Sequence, residues 1–212
     1  AAFGSLWVGT TEGRVHRVEP SSDLVEQSWT LPNAGEADAF SLDQGAGWLA
    51  VGQGAVWAGS SRAISRIDPS TGRLRPFSSP AWGPMAFGFG SLWILADGLE
   101  RLSAVTMRRQ ARVEMTGGYV RVAAGLGSVW VSDDEEDAVV RVDPRRNAVV
   151  RRYDLGGSPF GLAVGAQDLW VAVDDGTAAR IDPATGAVTT TSVGGAPRGV
   201  GVGADGVWLS VD

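Results

Sequence analysis

The sequence predicts an all-β chain, a β-propeller of four-stranded antiparallel blades with five full repeats and a partial sixth. Three observations lead there. A short apolar segment centred on Trp recurs as "SLWVG", "AVWAG", "SLWIL", "SVWVS", "DLWVA" and "GVWLS", at Trp7, Trp57, Trp93, Trp130, Trp170 and Trp208. The intervals of 50, 36, 37, 40 and 38 residues suit a slightly contracted four-stranded blade. Within each period, short pieces rich in β-branched residues are bounded by Gly, Pro or Asp, as strands are. No segment sustains a helical apolar period, because Gly or Pro interrupts each such window.

Taken in order, the chain opens on the second strand (b) of blade 1, and strand c of that blade carries the only His, His16. The first interval is the longest, and its surplus falls in "LPNAGEADAFSLDQGAGW", before strand a of blade 2, placing Glu36, Asp38, Phe40 and Asp43 in a loop. Blade 2 has the hairpin "SRIDPSTGRL", while blade 3 replaces its Asp-Pro with Ser103 in "ERLSAVTMRRQ". Blade 4 carries the acidic run "SDDEED" and an Arg-rich turn at Arg145 and Arg146. Blade 5 is the most regular: strand a at 160–165, b at 168–173, c at 178–182 and d at 187–193. The chain closes on a and b of a sixth repeat, so six b strands face five each of a, c and d. That imbalance predicts a continuation, an unusual closure or pairing with another chain, a homo-oligomer included.

In "RIDPATGAV" the carboxylate of Asp182 can accept backbone N–H bonds two residues on, Pro183 presets φ, and Gly186 supplies the left-handed residue that ends the hairpin. Equivalent acids at Glu19, Asp68 and Asp143 mark this as scaffold rather than a reactive pair. Arg180 and Asp182 share a face of strand c, which allows an ion pair.

The "LWV…RIDP.TG" rhythm resembles the bacterial propellers built of YVTN-type repeats and the streptogramin lyase group. The resemblance spans nearly the whole chain, read as a single domain over 1–212 that is potentially a fragment of a longer propeller. It implies an extracytoplasmic location. For the lyases it also implies a divalent metal held by two His and an acid, a set that this chain, with His16 alone, does not match.

Composition narrows the function classes. All 18 basic residues are Arg, and the net charge of −6 opposes binding to a phosphate backbone, so nucleic acid is not an expected partner. The absence of Cys excludes disulfides and thiolate metal sites. No apolar run reaches the length of a spanning helix, so membrane insertion is not expected. The "SDDEED" run, Asp133 to Asp137, lacks the D-x-D-x-D-G spacing of a calcium loop and reads as a solvated tip. No cofactor is expected, with a divalent cation left open only by the lyase resemblance.

These readings favour a non-catalytic binding or scaffold propeller that recognises a small molecule at its channel mouth or a protein partner. The alternatives are a metal-dependent lyase or hydrolase and an oligomerising sensor module. Aligning the inner strands on Gly52, Gly88, Gly125, Gly165 and Gly203 puts Gly47, Gly83, Val120, Phe160 and Arg198 at the mouth. There Arg198 can receive an anion while Phe160, Tyr119 and Trp82 offer apolar walls, with Glu36 and Asp38 on the long loop of the same face. The other reading is a solvated Arg198, with the aromatics packed between blades. On the opposite face Arg108, Arg109, Arg145 and Arg146 could dock an acidic partner.

Overall fold

The computed structural model describes residues 1–32, 48–60, 63–78, 83–115 and 117–212. Among them the chain is all-β and forms a series of antiparallel sheets, each made of strands consecutive in sequence. The first sheet has three strands, β1 (Leu6–Gly9), β2 (Arg14–Glu19) and β3 (Leu24–Thr30). Four-stranded sheets follow: β4 (Trp48–Gly52) to β7 (Leu74–Ser78) through β5 (Ala55–Ser60) and β6 (Ala63–Ile67); then β8 (Met85–Gly88), β9 (Ser91–Ala96), β10 (Gly98–Ser103) and β11 (Arg109–Val113). The fourth sheet holds β12 (Tyr119–Gly125), β13 (Ser128–Asp133), β14 (Ala138–Asp143) and β15 (Ala148–Asp154). The fifth holds β16 (Pro159–Val164), β17 (Leu169–Val173), β18 (Thr177–Ile181) and β19 (Val188–Ser192), and the last pairs β20 (Pro197–Gly203) with β21 (Gly206–Val211). These are the blades of a β-propeller, and blade 5 matches its predicted strands to within a residue or two at each end.

The chain divides into two compact units, Ala1–Ala96 with Arg101–Gln110, and Asp97–Glu100 with Ala111–Asp212. In the first unit one core joins sheets one and two around Trp7, Val15, Val56 and Ile67, and another joins sheets two and three around Trp57, Ile64, Leu92 and Ile94. In the second unit Trp130, Val139, Leu169, Val171 and Ile181 pack sheet four on sheet five. Strand b sits at the middle of each core, and in β5 and β13 every residue is buried.

The repeated rhythm of the blades has a recurring physical arrangement behind it. The indole Nε1 of the b-strand Trp donates across the a–b hairpin to the carbonyl five residues earlier: Trp57 to Gly52 (3.2 Å), Trp93 to Gly88 (3.1 Å), Trp130 to Gly125 (3.0 Å). The Arg of strand c lies over that indole, with ζ carbons of Arg17, Arg66, Arg101, Arg141 and Arg180 at 5.9, 6.0, 5.1, 5.3 and 6.0 Å from the rings of Trp7, Trp57, Trp93, Trp130 and Trp170. A Ser two residues before the Trp takes the guanidinium Nε: Ser5 from Arg17 (2.8 Å), Ser91 from Arg101 (2.9 Å), Ser128 from Arg141 (2.7 Å). In blade 5 that position is Asp168, whose carboxylate is 2.8 Å from the Arg180 guanidinium. Arg180 therefore pairs across the sheet with Asp168; the shared face with Asp182 adds only a weaker attraction.

The Asp-Pro turns also latch neighbouring blades. Arg17 donates to the Pro69 carbonyl of the next blade (3.1 Å), and Arg141 to that of Pro183 (2.8 Å). Trp29 Nε1 donates to the Gly72 carbonyl (2.7 Å). Gly72 has a φ of +69°, a backbone conformation that favours glycine.

Inside each turn the carboxylate acts as predicted. Asp68 accepts from the backbone N–H groups of Ser70 (2.9 Å) and Thr71 (3.2 Å) and from the Ser70 hydroxyl (2.6 Å). In blade 3 the Ser103 hydroxyl accepts the same pair of bonds, from Val105 (3.3 Å) and Thr106 (3.2 Å), which is why the motif can lose its Asp. The Ser70 hydroxyl and N–H hold the Asp68 carboxyl down at about 2, below its ordinary value of 3.8. A carboxyl depressed in the folded state contributes stability above the unfolded pKa and loses it as pH falls toward the folded one. The acid leg of a thermal melt between about pH 4 and 2 should therefore be shallower in Asp68→Asn, which keeps the acceptor oxygen but cannot titrate. Parallel legs for the two proteins would contradict this.

Candidate ligand-binding site

Backbone hydrogen bonds identify the loops that share a face. The N–H of Leu155 reaches Asp137 (2.9 Å), that of Asp174 reaches Ser158 (3.0 Å) and that of Val193 reaches Gly176 (2.9 Å). Each bond ties a b–c loop to a residue flanking a d–a connection, so these loops lie together, opposite the a–b and c–d turns. Inner strands β12, β16 and β20 start on this face.

Those three strands share a distortion that the sequence does not announce. Their ladders slip by one residue between Tyr119 and Arg121, between Pro159 and Gly161, and between Pro197 and Gly199. The extra residues are Val120, Phe160 and Arg198, the positions reached by counting five back from the inner-strand glycines. A β-bulge releases one residue from pairing and re-aims its side chain, a device frequent beside binding sites. The inner strands crowd together behind the bulges. A Cβ on Gly161 would stand 2.9 Å from the Val200 nitrogen and 3.1 Å from the Gly199 Cα.

Two of the bulge side chains meet. The Arg198 guanidinium stacks 4.7 Å from the centre of the Phe160 ring, and its Nε lies 3.2 Å from the Asp212 carboxylate. Its terminal nitrogens make no hydrogen bond or ion pair among the described residues, and the side chain is 48% exposed. The ring and Asp212 thus orient a guanidinium whose outer edge remains available, a geometry suited to bidentate capture of a carboxylate or phosphate. In the third blade the equivalent position is Gly83, which presents no side chain.

Of the other residues expected at the mouth, Glu36, Asp38 and Trp82, with Phe40 and Asp43, lie outside the described residues, as does the side chain of Tyr119. Arg108 and Arg109 lie in the first unit, at the end of the turn before β11 and on its first residue, and Arg145 and Arg146 lie in the second, on the turn between β14 and β15. The backbone N–H groups of Arg145 (2.7 Å) and Arg146 (3.3 Å) cap Asp143, leaving both side chains exposed.

The acidic run is not uniform, which corrects the reading of it as a solvated tip. Asp134, Glu135 and Glu136 are exposed, but Asp133 is fully buried and bonds Arg152 at 2.8 Å. Gly117 leaves room for it, since a Cβ there would lie 2.5 Å from the carboxylate. No group of three His, Cys, Asp or Glu side chains placed to hold a metal occurs among the described residues. The lone His16 is half-buried, with Nδ1 2.7 Å from the Ser28 hydroxyl. This donor set does not fit the two-His metal centre that the lyase resemblance implies.

Sequence reading missed the d-strand aromatics that pack against the b-strand Trp: Trp29 stacked on Trp7 (5.4 Å), with Phe77 tilted against Trp57 (6.4 Å) and Tyr153 tilted against Trp130 (5.9 Å). The signal was present in "LRPFS" and "RRYD", where an Arg two residues before the aromatic lies over its ring at 4.8 Å in both cases.

No family model and no curated protein matches the chain. Among solved structures it is similar to the Neurospora crassa Pan2 WD40 domain, with TM-score 0.76, 8% identity, and coverage of 94% of this chain and 65% of that one. It is also similar to a chain of the mitotic checkpoint complex (TM-score 0.79, 12% identity, coverage 98% and 68%). A third similar chain is from Kuenenia stuttgartiensis hydrazine synthase (0.79, 12%, 98% and 70%). The chain therefore spans about two thirds of the length of each, and at these identities the likeness is one of fold: a β-propeller.

Proposed function

We propose that this chain is a non-catalytic binding propeller of the YVTN-repeat kind, which recognises the anionic group of a small molecule or of a protein partner at the mouth of its inner strands. The observation that carries the reading is the pair of neighbouring bulges that bring Arg198 onto Phe160. The guanidinium supplies the charge, Asp212 fixes its direction, and the ring gives the apolar part of a ligand a surface. The streptogramin-lyase alternative is the weaker of the two, because a single His, His16, offers no two-His donor set.

The test is a thermal-shift and calorimetric screen with mono- and dicarboxylates, phosphomonoesters and an acidic peptide. Wild type should bind at least one class, and Arg198→Ala should weaken it about 10-fold or more, the value of charged hydrogen bonds. Arg198→Lys should restore only part, because it keeps the charge and loses the planar fork. Binding untouched by Arg198→Ala, or no binding by any probe, would overturn the proposal.

A further inference from the structure

The guanidinium of strand c has a side-chain acceptor in every blade but the second. Ser5, Ser91 and Ser128 accept from Arg17, Arg101 and Arg141, and Asp168 pairs with Arg180, but the equivalent residue before Trp57 is Ala55. Arg66 lies half-buried over the Trp57 ring at 6.0 Å and makes no hydrogen bond or ion pair among the described residues. Directly opposite it in the ladder stands Arg75, exposed over the Phe77 ring at 4.8 Å and equally without such a partner. Directly opposed residues share one face of the sheet with Cβ atoms about 4.5–5.5 Å apart, where like charges destabilise it. Blade 4 has the same pair, Arg141 opposite Arg151, with acceptors for both: the Ser128 hydroxyl and the Pro183 carbonyl take Arg141, and the Gly186 carbonyl takes Arg151. In blade 2 and its neighbouring turn those three positions are Ala55, Ala104 and Met107, and the last two pack with Trp57 and Phe77 in one apolar cluster. No carboxylate compensates. Asp68, the only acid between residues 48 and 78, is occupied by its own turn, and the turn of blade 3 brings Arg108 and Arg109 but no acid.

We infer that Arg66 and Arg75 form a second anion site, one that takes a doubly charged phosphate group. Two guanidiniums facing each other across one rung of the ladder can share a single tetrahedral oxyanion, whose two charges balance theirs. The Trp57 and Phe77 rings each hold a guanidinium by its flat face, so the N–H edges are the part that meets the ligand. A carboxylate cancels only one of the two charges and binds less well. The site lies wholly in the first unit and shares no residue with the one at Arg198.

The experiment follows the melting temperature of the full chain carrying Arg198→Ala, so that the other anion site contributes nothing and its reading stands or falls separately. Inorganic phosphate and O-phosphoserine, the free and esterified sources of the group, are titrated at about pH 7.5, where both are largely doubly charged, against sodium chloride and acetate at matched ionic strength. A saturable rise is expected with phosphate or phosphoserine beyond that with either control, and the stronger of the two names the source. Adding Arg75→Gln should weaken the apparent affinity about 10-fold, and Arg66→Gln about as much, as the loss of charged hydrogen bonds implies. Arg75 is exposed, so its variant remains folded and informative even where Arg66→Gln disturbs the packing over Trp57. Arg151→Gln, which alters the blade-4 pair whose donors are already bonded, should leave the titration unchanged. A rise no larger than that with chloride or acetate, or one that survives Arg75→Gln intact, would overturn the inference, as would an equal loss with Arg151→Gln.

Discussion

Trp130→Ala is expected to lower the unfolding free energy by about 3–5 kcal/mol, the usual cost of deleting a large buried aromatic. The indole is fully buried, donates to the Gly125 carbonyl, packs against the tilted ring of Tyr153 and lies beneath Arg141, so the substitution opens a cavity and leaves that carbonyl without its donor. A urea titration should show the loss, with a melting temperature lower by roughly 10 °C. The matched control is Trp208→Ala in the same motif, expected to change stability by less than about 1 kcal/mol because Trp208 is mostly exposed. Equal losses for the two would mean that burial is not what makes the repeated Trp stabilising.

Gly83→Ala should be nearly as costly, for a different reason. Gly83 has φ of +152°, where L residues are strained, and a Cβ there would overlap the carbonyl oxygen of Leu95. Leu95 cannot move freely, because its N–H bonds the Pro84 carbonyl at 2.9 Å. Backbone strain and overpacking each cost about 1–3 kcal/mol, and both apply. Gly90→Ala separates the two contributions: its φ is +71° but a Cβ would meet nothing within 4 Å, so only the conformational cost of about 1 kcal/mol remains. Indistinguishable melts for Gly83→Ala and Gly90→Ala would show that the Leu95 carbonyl yields.

Much of the fold could be read in advance because its signals are local. The spacing of Trp counted the blades, and Asp68, Asp143 and Asp182 marked the hairpins through bonds made within two or three residues. Arg180 could not be explained that way. Its partners, the Trp170 indole and the Asp168 carboxylate, are on the neighbouring strand, and only the register Trp170–Arg180 brings them together. The candidate site was half legible. Counting back from the inner-strand glycines reached Phe160 and Arg198, but nothing in the spacing says that both are bulged or that they stack. The charge of "SDDEED" was plain in composition, whereas the burial of Asp133 depends on Arg152 arriving from β15 and on the space left by Gly117.

The sequence by itself determined the repeat, the alternation of strand and turn, and which residues could start and end each hairpin, since period-two patterning and turn chemistry act over a few residues. Tertiary structure alone decided which Trp is buried, which acid is ion-paired and where the ladder slips to release Arg198 onto Phe160. Those outcomes depend on groups brought together across strands and blades, and no local pattern encodes the distance between them.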